Sequence, residues 1–250
     1  TLSVAPVHPD HKITLAVVRK AIATMRLRLL LPGLLALVLV FAACAPAPEL
    51  RDEKMLQDNS VVTGEPCAAP CWRGITPGET TWSSALTILE DDPTLENIST
   101  QTDENSPAMV ADWQQQGGSP CCQMFTDDGE TVKIVFLRTA PGNTVGEVMD
   151  VHGEPTYVVG SPYSDDQAIM NLVYPEKRMV AYAFVPGTSG DLSASSDIVG
   201  LLYMTQADMD LLLVTSSLHS WNGYDTYQAY DESEFEVTPS VTLTPTATGN

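Results

Sequence analysis

Apolar positions recur with two different periods between residues 76 and 204. In TPGETTWSSALTILEDDP, residues 76–93, Trp82, Ala85, Leu86 and Leu89 fall on one face of a helix, and in APGNTVGEVMDVHGEP, residues 140–155, Val145, Val148 and Met149 do the same. Both stretches open on Pro-Gly-x-Thr and close on an acid followed by proline, 64 residues apart at the Pro-Gly and 62 at the closing proline. The offset marks an internal repeat with a two-residue gap. Threonine or asparagine can cap the first turn of each copy, and Thr144 with Glu147 has capping-box spacing.

Behind each helical stretch the period shortens toward 2. ENISTQ, AMVADWQQ, CCQMFT and TVKIVFLR follow the first, with turns at Asn105-Ser106-Pro107, Gly117-Gly118 and Asp127-Asp128-Gly129; the Asp-Gly before a β-branched run is the clearest hairpin signal. TYVVG, AIMNLVYP, RMVAYAFV and DIVGLLYM follow the second, with a tight turn at 175–177. The pattern predicts an α+β chain of two tandem repeats, 67–138 and 139–205, each one helix packed on its own four-stranded antiparallel sheet. Residues 44–66 read as a polar linker, with a short helix at RDEKMLQDN; 206–236 read as an aromatic C-terminal arm. The Thr- and Pro-rich 237–250 cannot bury a core and read as a disordered tail.

Residue 1 is Thr, whereas Met25 opens a stretch built for export: Arg26 and Arg28, then an apolar run at 29–41. Residues 1–24 then read as an upstream extension and 25–43 as a signal peptide, because about 13 apolar residues fall short of the roughly 20 that cross a bilayer. The run ends in FAAC, residues 41–44, which resembles the lipobox of bacterial lipoproteins, with Phe41 where that family usually carries Leu. The resemblance implies a diacylglyceryl-modified Cys44 as the first mature residue, a lipid anchor in the membrane and an extracytoplasmic location. Two or three acyl chains hold such a protein firmly, where one alone does not. An ordinary leader cut after Ala43 and a single-pass anchor are the competing readings.

Five basic residues and one acid precede Cys44, leaving 7 Lys and Arg against 31 Asp and Glu, a net charge of −24. Such a surface repels phosphate backbones and excludes nucleic acid as a partner. Four cysteines remain, Cys67, Cys71, Cys121 and Cys122, and export places them in an oxidising compartment. Cys67 and Cys71 are separated by three residues rather than the two of a thioredoxin-type site, and the histidines that copper would need, His152 and His219, are distant in sequence. Structural disulfides are therefore preferred to redox, copper or zinc chemistry, and no cofactor is implied. One turn of chain brings Cys67 within reach of Cys71, which favours a local bridge and leaves Cys121 with Cys122. Crosswise pairing stays open, provided a bulge turns the adjacent pair to one side.

No catalytic constellation emerges. There is no G-x-S-x-G elbow, and GTSG at 187–190 sits between strands. The acids at Asp127-Asp128, Asp165-Asp166, Asp208 and Asp210 read as solvated turns without the ligand order of a calcium loop. WNGYDTYQAY, 221–230, sets four aromatics in ten residues. With Trp113 it supplies a candidate binding surface of Trp113, Trp221, Tyr224 and Tyr227 for a protein or glycan ligand; the competing reading is an arm that folds back over a sheet.

The tandem layout over 67–205 resembles β-lactamase-inhibitor-protein-like folds, and GITPGETT with its following Ala-Leu and Ile-Leu pairs is similar to the short helical motif of small outer-membrane assembly lipoproteins. The segment PCWRGITPG also resembles the opening of an uncharacterised group of bacterial lipoproteins. These resemblances imply a non-catalytic binding or scaffold module, and no individual residue role is carried over from them. The alternative is an exported enzyme or a copper or redox protein using Cys67 and Cys71.

Overall fold

The computed structural model describes residues 49–102 and 106–231. The extension at 1–24, the leader, Cys44 and the tail at 237–250 lie outside them. A four-residue helix α1 (Ser60–Thr63) is followed by α2 (Trp82–Glu90), α3 (Val145–His152) and α4 (Gln206–Thr215). Thr81, Thr144 and Thr205 each stand in extended backbone and accept an N–H of the following turn, so the last three helices begin where a hydroxyl satisfies an orphan donor. At α3 the Glu147 carboxylate returns to the Thr144 N–H, completing the capping box.

The strands are β1 (Leu95–Thr102), β2 (Met109–Gln115), β3 (Pro120–Thr126), β4 (Ile134–Arg138), β5 (Tyr157–Ser164), β6 (Gln167–Tyr174), β7 (Met179–Val185), β8 (Ile198–Met204) and β9 (His219–Ser220). They form one antiparallel sheet in the order β1-β2-β3-β4-β8-β7-β6-β5-β9. This corrects the expectation of two repeats, each with its own four-stranded sheet: the fold is a single sheet with few, short helices. The seam is β4 against β8, from Ile134 opposite Met204 to Arg138 opposite Gly200. Two separate sheets would have left both of these strands as unpaired apolar edges. β8 is buried at every position but Leu202, the mark of a strand covered on both faces.

One face carries the main core. Val135 and Leu137 of β4 and Leu201 and Tyr203 of β8 meet α2 through Trp82, Ala85 and Leu89, and α3 through Val145 and Val148. Residues 49–66 are no free linker: Met55, Leu56 and Val61 are buried in this core, and Leu56 bridges Thr139 in parallel. The short helix of this segment lies at α1, not at RDEKMLQDN, because Leu56 is drawn into the sheet. Asp58 holds the segment in place by accepting from Trp72 Nε1 (2.9 Å), Ser60 N (2.9 Å) and Ser60 Oγ (2.5 Å).

The opposite face has a smaller core, in which Met209 of α4 packs on Val173, Val180 and Met204, with Leu212 and Leu213 at its margin. The run that reads as part of an arm is thus a helix covering one region of the second sheet face. The arm proper returns to the main core, where Tyr227 lies buried over Gly160 of β5; a Cβ added at Gly160 would stand 2.7 Å from the Tyr227 ring.

Candidate functional site

Side chains that alternate with the core residues of β4, β6 and β7 point to the second face. They form rows across the strands: Phe136 beside Leu202 and Val180, then Arg138 beside Gly200, Tyr182 and Asn171, then Phe184 beside Ile169. α4 covers the first row at Val180. Beyond it Phe136, Tyr182 and Ile169 are half-buried and, with Leu50 and Tyr163, wall a cleft of about 320 Å³. Tyr163 is 40% exposed at its rim. Phe136 and Tyr182 meet edge to face at 5.9 Å. Burial pushes the Tyr182 phenol up to about 12, so it stays a neutral hydroxyl at physiological pH.

Gly200 creates the space. It sits in register between Arg138 and Tyr182, and a Cβ there would come within 3.0 Å of the Leu137 carbonyl and 3.2 Å of the Tyr182 ring. Arg138 lines the same cleft, and its Nη2 is shielded from water without a hydrogen-bond partner. The other three arginines of the described residues each hold a carboxylate: Arg51 with Asp197, Arg73 with Asp92, Arg178 with Glu79. Arg138 makes no ion pair among the described residues. On the far side of Tyr182 a second cleft of about 220 Å³ runs under the end of α4, with Asn171 held by the Val159 carbonyl and the Ser161 hydroxyl.

Set against known protein families, curated proteins and solved structures, the chain matches none.

The structure does not bring Trp113, Trp221, Tyr224 and Tyr227 together as one surface. Trp113 is buried in the main core and stacks on Trp72 at 5.6 Å; Tyr227 is buried over β5. Both face the main core because they share it with Ala111, Cys122 and Val158, which sequence alternation alone leaves ambiguous between faces. Trp221 is half-buried, stacked on Tyr230 at 6.2 Å, and edge-on to Tyr224 at 5.7 Å. Only Tyr224 is exposed, at 46%, and its hydroxyl points to Met149 Sδ at 3.3 Å.

Cys67 is joined to Cys71 and Cys121 to Cys122. Cys121 can share a face with its neighbour because β3 bulges there: Trp113 stands opposite Cys122 and Gln114 opposite Pro120, leaving Cys121 as the extra residue. Cys67 Sγ also accepts the Gly74 N–H at 3.4 Å, so this bridge closes the loop that delivers Trp72 to the core. Among the described residues no group of three or more His, Cys, Asp and Glu is placed to hold a metal ion. His152 donates to the Val61 carbonyl at 2.6 Å and His219 to the Asp231 carbonyl at 3.1 Å, so each ring ties down a segment.

The acid clusters have structural work of the same kind. Asp128 accepts from the N–H groups of Thr131 and Glu130 and from the Thr126 hydroxyl, which together hold its carboxyl down at about 2. Asp127 pairs with Lys133, and Asp208 receives the Thr205 hydroxyl at the start of α4. The open cleft, in contrast, had one signal in the sequence, Gly200 inside an otherwise apolar strand. A glycine there marks a bulge or a close approach.

Proposed function

We propose that this chain is a lipid-anchored extracytoplasmic binding protein without catalytic activity, which takes its partner on the uncovered part of the second sheet face. The observation that carries the reading is the cleft on that face, where Phe136, Tyr182, Ile169 and Tyr163 stay partly exposed on β4, β7, β6 and β5 of a nine-stranded sheet. Apolar groups convergent with one charged side chain are the usual makeup of a binding site. Anchoring rests on the export pattern at 25–44, and no described helix is long and apolar enough to cross a membrane. The competing use of Cys67 and Cys71 as free thiols is disfavoured by their bond to one another.

Hydroxyl-radical footprinting of the protein in native membranes and after detergent purification tests the binding surface. Tyr163, Tyr182 and Phe136 should be protected in membranes and more reactive when purified. Equal reactivity in both states would refute the assignment. For the anchor, Cys44→Ala should lose incorporated lipid label and leave the membrane fraction, and unchanged retention would overturn it.

A further inference from the structure

We propose that the cleft beside Arg138 binds a small amphiphile with an apolar body and one carboxylate, the carboxylate pairing with the Arg138 guanidinium. This rests on the reading of the open face as the binding surface and names its ligand class. Three observations carry it. First, the walls are apolar and aromatic, supplied by Leu50, Phe136, Ile169, Tyr163 and Val199, and the volume of about 320 Å³ is that of a small-molecule site.

Second, Gly200 leaves a gap in the row between Arg138 and Tyr182 that any larger residue would fill. Third, the chain has 32 acids against 12 bases, and Arg51, Arg73 and Arg178 are each paired, yet Arg138 makes no ion pair among the described residues and its Nη2 is both dry and unbonded. A guanidinium donor left without partner or water is costly, and a carboxylate satisfies it with charge-assisted and often bidentate bonds. The acidic surface gives a matching specificity: an anion is repelled over most of it and attracted where the unpaired Arg138 guanidinium lies inside an apolar cleft.

Calorimetric titration of the disulfide-intact full chain with sodium decanoate tests this, with decanol as the uncharged control. Saturable one-to-one binding of decanoate is expected, with decanol about tenfold weaker or worse. Arg138→Met keeps the apolar stem and should weaken decanoate by about tenfold or more while leaving decanol unchanged. Ile169→Trp, which fills the cleft from its wall, should abolish binding of both; circular dichroism and thermal melting establish that each variant is folded.

Equal binding of decanoate and decanol, or an Arg138→Met variant that binds decanoate as well as the parent, overturns the carboxylate assignment and leaves the open-face reading standing. Failure of decanoate to bind, with the face still protected in native membranes, overturns the inference alone and points to a macromolecular occupant. Failure of both experiments overturns the binding surface itself.

Discussion

Asp58 is the residue on which the N-terminal segment depends, and its removal offers the sharpest test of how that segment is held. The carboxylate side chain is 5% exposed and accepts three hydrogen bonds, from the Trp72 indole and from both donors of Ser60; Arg73 Nε lies 3.9 Å away. Trp72 is fully buried and Ser60 nearly so. Asp58→Ala strands the indole N–H inside the core, at roughly 1–3 kcal/mol, and loses two further bonds to a charged acceptor. Allowing for the Ser60 hydroxyl to find another partner, the total is about 3–5 kcal/mol, a large share of the roughly 5–15 kcal/mol that holds a domain together.

Urea unfolding followed by tryptophan fluorescence reads this directly. A double-mutant cycle with Trp72→Phe isolates the indole bond, for which a coupling of about 1.5–3 kcal/mol is expected. Asp58→Asn, which keeps an acceptor of the same size, should fall between parent and alanine variant. A cost below about 1 kcal/mol for Asp58→Ala, or a coupling near zero, would refute the argument and return residues 49–66 to the status of a tether.

Three further outcomes are expected. Gly160→Ala should destabilise by about 1–3 kcal/mol, because the new methyl meets the Tyr227 ring, and Tyr227→Leu should relieve part of that cost in the same melting assay. Leu137→Ala and Leu201→Ala, at fully buried positions directly opposite one another across β4 and β8, should each cost about 2–5 kcal/mol and shift one common unfolding transition; two transitions moving separately would mean that the halves fold independently. The Asp128 carboxyl is held at about 2, below its ordinary 3.8, so its contribution is complete above about pH 4 and is lost as pH falls toward 2. The stability gap between the parent and Asp128→Ala should close over that window.

The local elements were largely legible in the sequence, and the reasons are local ones. Thr144 and Glu147 sit at capping-box spacing, and Val145 and Val148 at helical spacing, so α3 needs no distant partner to be recognised. The joining of β4 to β8 is different, since Ile134 and Met204 stand 70 positions apart in the chain. Its one trace was the unbroken apolar run of β8, which signals burial on both faces and hence a central strand. Leu56 was hidden by the polar residues around it, because composition averages over a segment whereas burial selects single side chains. α4 shows no clear period because its apolar residues are not confined to one side: Leu211 and Val214 are exposed while Met209 is buried. Arg138, at the end of TVKIVFLR, looks like any solvated strand end; only its neighbours across the sheet show that it has been left unpaired.

The dimensions of the sheet explain why such a surface exists. Nine strands about 4.8 Å apart span nearly 40 Å, whereas the ten residues of α4 extend only about 15 Å. One helix of that length covers about three strands, so most of the second face must be accommodated in another way. Over β1 to β3 the solution is partly polar: Asp112 accepts from Gln101 at 2.9 Å and from Gln123 at 2.6 Å, beside the half-buried pair Val110 and Phe125. Farther along the strands that α4 crosses, and on β4, Phe136, Tyr182 and Ile169 stay half-buried, with Leu50 of the N-terminal segment at their margin and Arg51 over the Phe184 ring. The unpaired Arg138 set among these apolar side chains is what supports the proposal that this part of the sheet takes a ligand.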